Sequence, residues 1–446
     1  MALSLAQGLA GMVTVLILYR VLVISTDVET LGLWSLTVGI VAFLRVADFS
    51  GGAGLNRLVA VARSNGESMG RTIDTVVVFV IALYAALLLA AFVPFRHLVV
   101  ATVDDAFDPT ARALVVWTLL SVFLSAVGNS QSSAIDGVQR AWLRATVQLC
   151  GLAIFLGLGM FLIPTAGVLG MAWAQAAQLG FVVVAGRVVL WRTVPDLNLL
   201  PTAFSLPVLR SSIGYGAKLQ GMGLAVLVFE PGSRIVINHL GGLETVAVFN
   251  LAYRLTSFAR LLVVSAFLPL IPEFALRHEQ DRAARDRLFE NTTRFLLPAA
   301  SLMFCGTCIV APFVSLYVLF EISPAFLLNA GALSVAWFVA TLGQGSITMA
   351  RGAGLMRWNI IGQWTTALGS LPLAFVFAAL AGAEYAGIGV ALAVLVGAVV
   401  QIAGNGSHLG ISLRLRSATP VGVVLALGYV GALAALLALA AGAVTI

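Results

Sequence analysis

Glu29-Thr-Leu-Gly-Leu-Trp-Ser-Leu36 returns about 215 residues further along the chain as Glu244-Thr-Val-Ala-Val-Phe-Asn-Leu251. Three more anchors repeat in the same order. Arg20 in Tyr19-Arg-Val-Leu-Val-Ile24 pairs with Arg234 in Ser233-Arg-Ile-Val-Ile-Asn238, Pro94-Phe95 with Pro312-Phe313, and Gly137-Val-Gln-Arg140 with Gly354-Leu-Met-Arg357. Ordered anchors at a nearly constant offset mark an internal duplication. Outward from them the chain is apolar almost throughout: 60% of its 446 residues are hydrophobic and 10% charged, with a mean hydropathy of +1.03. A soluble domain carries about 25% charged residues, so a soluble globular fold is excluded. Apolar spans of roughly 20 to 25 residues with short connectors use up the whole length, which makes this an all-α polytopic membrane protein.

The apolar runs predict about 13 helices: 3–25, 31–62, 73–95, 111–134, 143–163, 168–191, 208–240, 243–276, 295–319, 326–350, 358–380, 385–409 and 421–444. Residues 1–192 form one six-helix lobe, 193–207 a connector, 208–410 a second six-helix lobe, and 411–446 an extra C-terminal helix. Six is even, so both lobes face the same way, related by a pseudo-two-fold axis along the membrane normal. Three runs are too long for a bilayer of about 30 Å and must tilt, break or project. The expected breaks are Gly51, Gly52 and Gly54, then Pro231, then Pro269 with Pro272. With the N-terminus cytoplasmic, 18 of the 25 basic residues fall at inner loops or helix ends and only Arg96 and Arg112 outside. The positive-inside rule selects that orientation, and the odd helix count puts the C-terminus outside. Clustering of this kind accounts for the net charge of +6 without nucleic acid as a partner.

Several stretches resemble the multidrug/oligosaccharidyl-lipid/polysaccharide (MOP) flippase superfamily, in particular its Wzx-like polysaccharide flippases. They are Glu29 to Leu36, Val46-Ala-Asp-Phe-Ser-Gly-Gly-Ala-Gly-Leu-Asn-Arg57, Ser233-Arg-Ile-Val-Ile237, Val248-Phe-Asn-Leu-Ala-Tyr-Arg254 and Phe267-Leu-Pro-Leu-Ile-Pro-Glu-Phe274. The resemblance implies two six-helix lobes in a V that flip an undecaprenyl-pyrophosphate-linked oligosaccharide to the outer leaflet of the bacterial cytoplasmic membrane. Polysaccharide polymerase and glycosyltransferase are then the candidate partners, besides the lipid-linked oligosaccharide and the membrane lipids. Family members usually have 12 or 14 helices, and this sequence reads as 13.

Arg20, Arg45, Arg234, Arg254 and Arg260 lie within spans, against only Asp48 and Glu230. An Arg at mid-membrane costs about 2.5 to 3.5 kcal/mol on insertion scales, so such residues face a cavity, a partner or an interface. At about 1.5 Å per residue, Arg45 and Arg254 sit roughly 21 and 16 Å from the outer helix ends, too deep to snorkel, and are the foremost pyrophosphate-binding candidates. Arg20, Arg234 and Arg260 lie nearer the surfaces and read equally as anchors. Asp48 follows Arg45 by one helical turn and can pair with it. Glu230, just before Pro231, is a candidate for coupling to Na⁺ or H⁺. Surplus guanidinium suits pyrophosphate, because the planar fork holds oxygens bidentately and keeps its proton.

Neither a cofactor nor a metal is expected. Cys150, Cys305 and Cys308 read as small buried residues, and Cys305-Gly-Thr-Cys308 lacks a second ligand pair. Trp34, Trp337 and Trp358 read as an interfacial aromatic belt, and Arg277 to Arg294 as a solvated connector between lobes. No nucleotide-binding P-loop pattern occurs, so the chain reads as a transporter and not an enzyme. A multidrug or small-solute cation-coupled antiporter of the same superfamily is the alternative, and would need isolated acids in the cavity. A polytopic lipid-carrier-dependent glycosyltransferase, polymerase or ligase is the second alternative, disfavoured by the shortness of the longest outer connector, Arg96 to Thr110.

Overall fold

The computed structural model describes the chain except residues 1, 42–43, 45–54, 57, 60–61, 63–65, 102–107, 268–269, 271–273, 275–281, 410–419 and 445–446. No strand occurs among the described residues. The helices are α1 (Ala2–Ser25), α2 (Val28–Val41), α3 (Met69–Val100), α4 (Asp108–Gly137), α5 (Ala141–Thr193) and α6 (Leu206–Phe267). Then come α7 (Arg282–Leu319), α8 (Pro324–Leu342), α9 (Gln344–Gly352), α10 (Arg357–Ala381), α11 (Ala386–Leu409) and α12 (Pro420–Val444). A 3-10 turn, Ala383–Tyr385, joins α10 to α11.

Among the described residues, ten helices are long and apolar enough to cross a membrane. Two of them carry two crossings each: α5, at 53 residues, would extend about 80 Å if straight, and α6 runs to 62. Each breaks at one glycine, Gly167 (φ 56, ψ −134) in α5 and Gly242 (φ 75, ψ −174) in α6. Twelve crossings follow, and Val28–Val41 is a shorter apolar helix at the start of a further run, in agreement with the count of about 13. The breaks fall between the fifth and sixth and the seventh and eighth runs. Pro231, by contrast, lies inside α6 without a non-helical residue beside it, so the break expected there within the seventh run does not occur. The reason is that a proline deletes one hydrogen bond in a continuing helix, whereas these backbone angles end it. Gly51, Gly52, Gly54, Pro269 and Pro272 lie outside the described residues. Because the Gly167 angles are glycine-only and an added Cβ would stand 3.2 Å from Thr26 Cγ2, Gly167→Ala is expected to destabilise by about 1–3 kcal/mol, read as a lower unfolding midpoint.

The tenth run also differs from expectation. It is interrupted after Leu342, where Gly343 caps α8 and opens the short α9; Gly343 and Gly345 are poor helix formers at that point.

The chain forms two compact units, Met1–Leu227 and Val228–Ile446. In the first, α1 and α4 pack on α5, α3 on α4, and α2 on α4. Its polar centre is Asp74 on α3 with Arg187 on α5, an ion pair at 2.7 Å with side chains 2% and 8% exposed. Arg187 also donates to the carbonyls of Asn198 and Leu199, and the backbone N–H groups of Thr202 and Ala203 donate to Asp74 Oδ2. Asp196 accepts from Ser68 Oγ and Gly70 N, so the polar stretch after α5 is tied down along its length.

In the second unit α10 packs along α11, α8 on α11 and α7, and α12 on α7 and α8. Tyr429 docks α12: its ring stacks on Phe338 at 4.7 Å and its hydroxyl lies 3.1 Å from Ser334 Oγ. Asn405 Nδ2 donates to Asn359 Oδ1 at 2.7 Å, a buried polar link of the kind that holds helices together in lipid. Within 277–294, residues from Arg282 onward form the start of α7, whose Asp286, Arg287, Glu290 and Arg294 are exposed as a solvated stretch requires, while one face is buried. Arg285 is 6% exposed and pairs with Asp286 at 2.7 Å, because Arg285, Phe289 and Leu296 recur at helical spacing on one buried face.

The duplication is visible in local geometry. Gln139 (φ 63) and Gly354 (φ 73) end equivalent helices with one hydrogen-bond pattern: 138→134, 139→136 and 140→135 match 353→349, 354→351 and 355→350. This shifts the fourth anchor by two residues, since Gly354 corresponds to Gln139 and not to Gly137.

Candidate functional site

The described intramembrane charges of the second unit gather around Tyr253. Glu230 and Arg234 lie on α6 before the Gly242 break, and Asn250, Tyr253, Arg254 and Arg260 after it, so the break folds the helix back and apposes the two arms. Phe229 and Phe249 flank the Tyr253 ring with centroids 6.1 and 6.0 Å away, and Trp337 on α8 meets it edge-on at 6.1 Å.

Arg234 is 8% exposed, and its donors are engaged by the protein itself. Nε and Nη2 donate to Asn250 Oδ1 at 3.2 and 3.0 Å, Nη1 donates to the Glu230 carbonyl at 2.9 Å, and the guanidinium stands 5.7 Å from the Tyr253 ring centroid. A guanidinium so satisfied ties the two arms of α6 together and has little left to offer a ligand. Tyr253 Oη donates to Glu230 Oε1 at 3.0 Å, which fixes the carboxylate against the ring cluster. Arg260 is different: its guanidinium lies 4.6 Å over the Trp337 ring, close cation–π range, and its Nε is buried without a hydrogen-bond partner.

Of the sequence-predicted residues, Glu230, Arg234 and Arg260 are thus brought together, with the part-buried Arg254 beside Tyr253 on the same arm. Arg20 belongs to the first unit, part-buried on α1. Arg45 and Asp48 lie outside the described residues. Asn250, Tyr253 and Trp337 were missed as members of the cluster. The first two stand inside the quoted stretch Val248 to Arg254, but Trp337 carries no local signal.

The aromatic-belt reading is corrected for Trp34 and Trp337, which are 2% and 8% exposed inside their units. An indole on a face that packs against another helix is indistinguishable in sequence from one at the lipid headgroups. Cys150 is exposed and Cys305 part-buried, so only Cys308 is buried as expected; its Sγ lies 3.7 Å from Ser334 Oγ. No group of three or more His, Cys, Asp or Glu able to hold a metal occurs among the described residues. Glu244, Glu321 and Glu384 line an open cavity of about 370 Å³, each with its side chain exposed.

These helices, broken where they are and packed as they are, have counterparts among solved structures. A multidrug-resistance MATE-family transporter of the MOP superfamily, in its inward-facing conformation, matches with a TM-score of 0.78 at 15% identity, over 89% of this chain and 94% of that one. The fold is that of MOP-superfamily transporters. The lipid II flippase MurJ, in an inward closed conformation, matches with a TM-score of 0.66 at 12% identity, over 98% of this chain and 97% of that one. A MOP-superfamily transporter from Pyrococcus furiosus, described as having a binding pocket of reversed polarity, matches with a TM-score of 0.61 at 16% identity, over 92% and 93%. No protein-family model and no curated protein matches the chain. The structural neighbours are transporters and a flippase, and the chain is a multi-pass membrane protein of the same fold.

Proposed function

We propose that the chain is a flippase that moves an undecaprenyl-pyrophosphate-linked oligosaccharide from the inner to the outer leaflet of a bacterial cytoplasmic membrane, by alternating access through a cationic central cavity and with its N-terminus on the cytoplasmic side. The observation that carries the reading is the balance of charge around Tyr253. Arg234, 5.7 Å from the Tyr253 ring centroid, and Arg260, stacked on the Trp337 that meets that ring, lie beside it against one described carboxylate, Glu230. A site for organic cations needs carboxylates free to meet them, whereas a diphosphate needs guanidinium groups that cannot lose their charge. A flippase and a transporter of reversed pocket polarity share this fold, so the fold accommodates either cargo.

The experiment is reconstitution of the full chain into vesicles with a fluorescent, lipid-linked oligosaccharide on one leaflet. Protein-dependent appearance of the label on the other leaflet is the expected result. Failure to move the carrier, combined with export of a cationic dye driven by a Na⁺ or H⁺ gradient, favours the antiporter reading instead.

A further inference from the structure

Four large apolar side chains of the first unit, Leu199, Leu200, Phe204 and Leu206, are exposed on the stretch that runs from the end of α5 to the first residue of α6. The backbone there is fixed from the inside. Val194 and Leu197 are buried, Asp196 accepts from Ser68 and Gly70, Arg187 donates to the carbonyls of Asn198 and Leu199, and Asp74 accepts from the N–H groups of Thr202 and Ala203. From Leu200 onward exposure alternates: Leu200, Thr202, Phe204 and Leu206 face outward, whereas Pro201, Ala203 and Ser205 are part-buried. A period of two is that of extended chain, so one edge carries the apolar side chains. Held by the buried ion pair, that edge cannot turn inward, and its cover lies outside the unit.

The height of the edge follows from α5. Its two arms pack antiparallel after the Gly167 break, with Gly170 against Leu162 and Gly151 against Val182. Nine residues further from Gly151 and from Val182, the same register sets Trp142 opposite Trp191, and both indoles are exposed. Exposed Trp at matching heights on adjacent spans marks the headgroup level. Arg187 lies one turn inside Trp191, about 6 Å, and with Asp74 it holds the strap from 198 to 203, so the strap runs along the headgroup level instead of projecting into water. Around it Arg71, Arg140, Arg192 and Arg210 are exposed. The exposed described carboxylates of that end are Glu67 and Asp196, the second already accepting from Ser68 and Gly70.

We infer that residues 199–206 form an interfacial anchor, an apolar edge bedded in the membrane surface among anionic phospholipid headgroups. Leu200, Phe204 and Leu206 supply the buried area, and the surrounding arginines supply the preference for negative lipid. A protein partner would fit the apolar edge as well, but the matching height of the two indoles and the cationic surround both point to lipid. In the orientation proposed above this is the inner leaflet; the anchor rests neither on that orientation nor on the flippase reading.

The test uses the full chain, one copy per nanodisc, with the accessible Cys150 and Cys305 replaced by Ala and a nitroxide placed at Leu200→Cys, Phe204→Cys or Leu206→Cys. In phosphatidylglycerol nanodiscs the label is expected to be reached by oxygen and shielded from a water-soluble nickel chelate, with the reverse at Asn198→Cys on the exposed polar part of the connector. Hydrogen exchange on the unaltered protein guards against variants that misfold: exchange over 199–206 should be about fivefold slower or more in phosphatidylglycerol than in phosphatidylcholine, at about 1 kcal/mol per arginine near the surface. The Arg71→Gln, Arg192→Gln, Arg210→Gln triple variant should lose that difference. Equal exchange of the unaltered protein in the two lipids would overturn the anionic preference, and chelate access at all three apolar positions would overturn the anchor. Shielding that appears only in liposomes crowded with many copies would assign the edge to a second copy of the chain and overturn the lipid assignment.

Discussion

Replacing Asp74 by Ala is expected to cost the N-terminal unit about 3–5 kcal/mol, the range found when one partner of a buried ion pair is deleted. Asp74 and Arg187 are 2% and 8% exposed, and their contact is 2.7 Å long. Without the carboxylate, Arg187 keeps only the neutral carbonyls of Asn198 and Leu199, and the N–H groups of Thr202 and Ala203 lose their acceptor. The penalty is therefore an uncompensated buried cation together with a loosened chain after α5. Arg187→Met in the Asp74→Leu background removes both charges and is expected to recover most of the loss, since apolar residues of similar volume replace buried pairs at little cost. Equilibrium unfolding in mixed micelles measures both variants. A loss below about 1 kcal/mol for Asp74→Ala would mean that water reaches the pair and that it behaves as a surface bridge.

The second large effect separates two arginines of the same arm-to-arm cluster. Arg254→Ala is expected to lower flipping by about 100-fold or more, roughly 2.7 kcal/mol, with folding and insertion preserved, while Arg254→Lys keeps the charge, loses the fork and retains part of the activity. Arg234→Ala should lower activity and stability together, because Asn250 Oδ1 and the Glu230 carbonyl lose a buried donor when the side chain is truncated. The discriminating measurement is the pair of values, vesicle flipping rate and unfolding midpoint, for each variant. Unaltered flipping by correctly inserted Arg254→Ala would sink its assignment to the pyrophosphate. Arg45 stands beside these only as a sequence expectation: if Asp48 merely neutralises it, the Arg45→Ala, Asp48→Ala double variant works better than either single one.

Much of this protein was determined by the sequence alone, and the reason lies in the bilayer. A spanning segment must satisfy its backbone within itself, so an apolar run of sufficient length is a helix whatever surrounds it. The crossings, the repeat of Glu29 to Leu36 in Glu244 to Leu251 and the burial of several arginines were legible for that reason. The breaks at Gly167 and Gly242, where φ is positive, fall between runs read from the sequence, whereas Pro231 looked like a hinge and the helix continues through it. What the tertiary structure alone decided is which arginine does what. Arg234 and Arg260 are the same residue type on one helix, but one meets an asparagine acceptor from the opposite arm and the other meets an indole face from α8. The asparagine arrives because α6 folds back at Gly242, and the indole, far along the chain, arrives by packing. Insertion into a membrane reads the cost of a charge locally, whereas its chemistry is set by the acceptors that neighbouring helices bring or withhold.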